Sequence, residues 1–175
     1  MVDIDELREE MNRGAVDRLG ERFALVGPGG EPAPEAELVC VVVPEFVQQR
    51  LVTRHSEPPE GSRMTCVFAR RDTEGVCSLA VRAILESRAV GLLVATEGER
   101  SGGAQVGRLA ELPFPELTPA FSAQLELLYR RRGRVDAETP IDRSVDLSVE
   151  RIVAELYELS LKRLVDLQEA FRRSA

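Results

Sequence analysis

A chain of 175 residues, 43% hydrophobic and 30% charged, is long enough to bury one proper core and too short for two ordinary domains, so one unit spanning 1–175 is expected. Thirty acidic residues against 23 basic ones leave a net charge of −7, which speaks against a general attraction to nucleic acid or anionic lipid. The longest uninterrupted apolar run, Leu38–Val43, falls far short of the roughly 20 residues that span a membrane, and Asp3, Asp5, Glu6, Glu9 and Glu10 stand where a secretory signal would be basic and then apolar, so a cytoplasmic protein is expected.

In chain order, Ile4, Leu7, Met11, Val16 and Leu19 recur at near-helical spacing, predicting an N-terminal helix within 1–20 that Gly20 would stop. Arg22–Val26 reads as a short strand, and the Gly/Pro-rich stretch 27–34 as a loop. Glu37–Val43 is the strongest strand, a valine-rich run expected at the centre of a sheet covered on both faces. Pro44 fits the first turn of a helix reaching Arg54. Met64–Ala69 reads as a strand, the stretch from Asp72 or Thr73 to Ser87 as a helix, and Ala89–Ala95 as another apolar strand. A polar, glycine-bearing loop at 97–103 and a short helix near 104–111 follow. Thr118 and Pro119 cap and open a helix to Arg132. Ser148 is placed to cap a long C-terminal helix over 148–173. Apolar strands alternating with helices predict an α/β fold: a three-layer α/β/α arrangement around a mostly parallel sheet of about four or five strands.

In such a sheet, ligands bind where strand ends meet helix N-termini. Two constellations fall there. Arg70 and Arg71 end one strand, and Arg100, Ser101, Gly102 and Gly103 follow another, so guanidiniums and exposed backbone N–H groups could hold an anionic or phosphorylated small molecule. Neither the P-loop nor the dinucleotide-binding glycine spacing is present, and no cofactor is assigned. Lys162 is the only lysine and lies in the last predicted helix, which argues against lysine chemistry. Cys40, Cys66 and Cys77 form no C-x-x-C pair and do not combine with the single histidine, His55, into a zinc spacing. Cys40 and Cys66 read as packing residues. His55, flanked by Glu57 and Glu60, could serve as an acid/base group with Ser62 or Cys66, although no local motif selects a nucleophile. Arg130–Arg132 with Arg134 sit at a helix C-terminus, where the dipole favours cations, and without interleaved aromatics they do not point to nucleic acid.

Ile141–Asp142 followed by Leu147–Ser148–Val149–Glu150 and an apolar helix resembles the final strand and helix of P-loop small-molecule kinases. The glycine loop with Lys-Ser/Thr that would carry kinase function is absent. The length of the last helix suggests a second role, self-association into a homo-oligomer. The alternative function is therefore a noncatalytic interaction or regulatory subunit that pairs through this helix.

Overall fold

The computed structural model describes residues 4–27, 30, 36–56, 63–70, 73, 75–101, 106–136 and 139–174. The first helix, α1 (Ile4–Gly14), turns Leu7 and Met11 into the core and leaves Asp5, Glu6 and Glu9 exposed. It is shorter than the predicted helix. Gly14 ends it against the backbone of Tyr157, where a Cβ would lie 2.4 Å from the carbonyl carbon, and Ala15–Arg18 continues as strand β1. After the single turn α2 (Leu19–Arg22) come β2 (Phe23–Val26), β3 (Leu38–Val47), β4 (Arg50–Arg54) and β5 (Thr65–Ala69).

These last four strands form one sheet in the order β2-β5-β3-β4, and every pairing is antiparallel. The mostly parallel sheet is therefore incorrect. Among the described residues between β3 and β5 there is no helix to make a parallel crossover, and β3 joins β4 through the two-residue turn Gln48–Gln49, which only antiparallel neighbours can use. The central position expected for Glu37–Val43 does hold: β3 lies between β5 and β4, and Val39, Cys40, Val41, Val42 and Val43 are all buried. Apolar residues on both faces record coverage, which antiparallel strands also allow.

The predicted helix from Pro44 to Arg54 is instead the end of β3, the turn and β4. Pro44 falls in a register shift between Val43 and Phe46, a bulge at which a missing N–H costs no ladder bond. The predicted strand at Ala89–Ala95 lies inside α4 (Arg88–Ser101), where Ala89, Val90, Leu92 and Leu93 are buried on all sides. An apolar run is equally a buried helix when its neighbours surround it. Here β4, α1, α3 (Ser78–Leu85) and α8 (Leu161–Ser174) do so.

Beyond α4 come α5 (Val106–Ala110), β6 (Pro113–Pro115), α6 (Pro119–Arg132) and α7 (Arg143–Leu156). β6 pairs with β1 as a separate two-stranded ribbon, fastened by the Tyr157 hydroxyl donating to Pro113 O at 2.7 Å and by Leu19 N donating to Leu112 O. α3 packs on β3 and β4, α6 on α3, and α7 on α6. Thr118 caps α6 as expected, accepting from Phe121 N.

The long C-terminal helix is two helices. Asp142, not Ser148, caps α7 by accepting from Ser144 N and Val145 N. The chain breaks at Tyr157–Ser160, with Glu158 in the left-handed region at φ 55°, and α8 folds back onto α4 and α7. Leu159 and Leu164 are buried, and Arg163 pairs with Glu6 and Glu10 of α1. Among the described residues no helix is long and apolar enough to cross a membrane.

Candidate functional site

The Gln48–Gln49 turn, the first residue of β4, the N-termini of α4 and α7, and the segment entering α7 converge on one cleft of about 730 Å³. Its walls are aliphatic: Val47, Val135, Pro140, Ile141 and Leu147. Its polar groups are Gln48, Thr139, Arg50, Arg88, Arg143 and Asp146. Arg143, Asp146 and Leu147 share one face of α7 because they are three and four residues apart. Both central residues of the turn have positive φ, 50° at Gln48 and 63° at Gln49, a conformation that ordinarily selects Asn or Gly. Gln48 is thereby held at the cleft on a strained backbone.

The floor of the cleft is one end of a buried charge network. Arg50 grips Asp146 through two parallel bonds of 2.7 and 2.6 Å, with both side chains almost wholly buried. Glu150, one turn along α7, lies 4.0 Å from Arg50 and accepts from Arg88 N, which caps the start of α4. The Arg88 guanidinium, partly exposed at the cleft, is 3.8 Å from Asp146. On the inner side, Arg132 of α6 lies 3.7 Å from Asp146 and bonds Glu86 at 3.0 Å with both partners fully buried. Arg132 and Arg82 lie over the Tyr129 ring at 4.8 and 5.1 Å, and Arg82 donates to the Thr53 side chain and carbonyl.

The carboxylates respond differently to this setting. Burial raises Asp146, but the hydrogen bonds and charge of Arg50, with Arg132 and Arg88, outweigh it and hold the group below its ordinary range. For Glu86 and Glu150 burial wins: both are raised, against Arg132 and Arg82 at Glu86 and against Arg50 at Glu150, where the Asp146 charge adds to the rise. The folded chain therefore binds protons at Glu86 and Glu150 more readily than the unfolded chain does, and their share of stability is lost as pH rises above about 4.5 through their folded values. Asp146 acts oppositely, and its share is lost as pH falls below about 3.8. Melting temperature measured from pH 4 to 8 is expected to peak on the mildly acidic side and decline toward pH 8; a steady rise from pH 5 to 8 would contradict this assignment.

The residues singled out from sequence lie elsewhere. Arg70 ends β5 and donates to Gly20 O at 2.9 Å, while its own N–H bonds Thr73 Oγ1. Arg100 and Ser101 form the last turn of α4, about 20 Å along the helix from Arg88. Arg71, Gly102 and Gly103 lie outside the described residues, as do Glu57, Glu60 and Ser62. With Ala89–Ala95 helical, the strand end that was to carry the Ser101 loop does not exist.

His55 is exposed at the end of β4, with Nδ1 3.1 Å from Val39 O and 3.3 Å from Ser78 Oγ, and Ser78 Oγ also donates to Val39 O. Two donors converging on one carbonyl tie the strand to α3 and leave the Ser78 hydroxyl without a base at Nδ1. Cys40 is buried and its thiol is pushed up to about 12 by burial, as befits a packing residue.

In the arginine run, Arg130 pairs with Glu126 and Arg131 is exposed, whereas Arg132 is part of the core. Sequence did carry a signal for that: Leu125, Tyr129 and Arg132 stand at i, i+4 and i+7, the buried face of α6. Arg82 with Glu86, and Asp146 with Glu150, repeat the pattern as opposite or like charges four residues apart inside apolar stretches.

Comparisons with models of protein families, with curated proteins and with solved structures gave no match to this chain.

Proposed function

We propose that this chain is a binding domain for an anionic ligand with an apolar body, held in the cleft between the β3–β4 turn and the N-termini of α4 and α7. The observation that carries the reading is the set of charges at the cleft: Arg50, Arg88 and Arg143 line it with one carboxylate, Asp146, among aliphatic walls. Arginines present planar forks that bind carboxylate or phosphate through two bonds, and a partly closed, low-dielectric site strengthens them. Binding is favoured over catalysis because both oxygens of Asp146 are engaged by Arg50, which leaves that carboxylate poorly suited to abstract a proton.

The test uses calorimetric titration with octanoate and octyl phosphate on the full chain and on Arg143→Ala. Arg143 is exposed and makes no ion pair among the described residues, so its removal should leave the fold intact. Loss of one charge-assisted contact is expected to weaken binding by roughly tenfold. Unchanged affinity in Arg143→Ala, or no binding of either compound, would reject the cleft as the ligand site. Self-association through the C-terminal segment draws no comparable support, because α8 spends Leu164 and Arg163 on contacts within the chain.

A further inference from the structure

Resting on that reading, we infer that the cleft takes a phosphate monoester carried on an aliphatic body, a doubly charged head with a saturated tail. The first observation is charge balance. Three guanidiniums and one carboxylate line the cleft, leaving a surplus of two positive charges. The surplus persists when the connected network is included, since Arg82 and Arg132 add two cations while Glu86 and Glu150 add two anions. Burial, which favours the neutral forms of Glu86 and Glu150, can only enlarge it. A singly charged head would leave one cation uncompensated in a site partly withdrawn from water, and a dianion neutralises both.

The second observation is the wall. Val47, Val135, Pro140, Ile141 and Leu147 offer aliphatic surface, and none of the described lining residues is aromatic. A nucleobase would find no ring to stack on, whereas an alkyl or isoprenoid chain is matched by branched aliphatic side chains. The third is placement. Arg50 is fixed at the floor by Asp146, while Arg88 and Arg143 stand at the rim on the first residues of two different helices, so a tetrahedral head between them can be approached from two sides.

The experiment compares five probes at pH 8 and below micelle-forming concentrations: octyl phosphate, octyl sulfate, octanoate, inorganic phosphate and adenosine monophosphate. Octyl sulfate has the same tetrahedral shape with one charge fewer. Octyl phosphate is expected to bind at least about tenfold more tightly than octyl sulfate and octanoate, and more tightly than inorganic phosphate or the nucleotide. In Arg143→Ala and Arg88→Ala the preference for phosphate over sulfate should collapse, and in Arg70→Ala it should persist. Equal affinity for octyl sulfate and octyl phosphate would overturn the dianion while leaving the anion-binding reading intact. Tighter binding of inorganic phosphate or the nucleotide than of octyl phosphate would overturn the aliphatic body. Failure of all five to bind would overturn the proposed function itself.

Discussion

Arg132→Ala is expected to destabilise the fold by about 3–5 kcal/mol, the cost of leaving a buried charge without its partner. Arg132 bonds Glu86 at 3.0 Å with both side chains fully buried, stands 3.7 Å from Asp146 and covers the Tyr129 ring. Its loss opens a cavity between α6 and α7 and leaves Glu86 facing only the Arg82 charge. For a chain of this size the melting temperature should fall by about 10 °C. Glu86 has an escape, because its raised pKa lets it take up a proton and become a neutral buried acid. The deficit should therefore be smaller at pH 5 than at pH 8. Replacing both partners, as in Glu86→Leu with Arg132→Met, should recover much of the loss, since an apolar pair of similar volume carries no desolvation cost. Chemical denaturation of the single and double variants checks this. A loss under about 1 kcal/mol for Arg132→Ala would mean that the network contributes little to stability.

The second large effect comes from one methyl group. Gly91→Ala places a Cβ 2.1 Å from Gln49 O and 3.0 Å from Arg50 Cα, so α4 has to move away from the β3–β4 turn by more than 1 Å. Alanine in a helix is ordinarily about 1 kcal/mol better than glycine. Overpacking of about 1–3 kcal/mol opposes that gain and should exceed it, because the atoms met are backbone and cannot rotate aside. The shift also separates Arg88 from Arg50, one on each of the two elements being forced apart, so ligand affinity should drop together with stability. Melting temperature and octyl phosphate titration of Gly91→Ala test both consequences; a variant more stable than the parent would show that this contact is looser than described.

Elements whose signal is local were legible in the sequence. The Thr118–Pro119 start of α6 is chemistry confined to neighbouring residues, and β3 and β5 announce themselves by composition. Ala89–Ala95 was misread because a run that is apolar throughout has no periodicity to separate strand from helix. Pro44 was misread because a helix start and a β-bulge both tolerate a missing N–H. The antiparallel sheet followed from the Gln48–Gln49 turn, whose residues are not those that usually mark such a hairpin. The cleft was hidden for a different reason. Arg50, Arg88, Arg143 and Asp146 come from β4, α4 and α7, and no spacing along the chain links them.

The separation of those residues also governs how the chain reaches its native state. The β3–β4 hairpin is local and needs no distant partner, but Arg50 meets Asp146 across 96 residues, and Ala15 meets Pro115 in the β1–β6 ribbon. Closing loops of that length is entropically expensive before any contact rewards it, so refolding should be set by these closures rather than by helix formation. During synthesis, Arg50, Arg82, Arg88 and Arg132 all emerge before the helix that carries Asp146 and Glu150. Until α7 arrives the cationic half of the network has only Glu86 to offset it, and the cleft beside Arg50 and Arg88 is complete only once α7 has joined them.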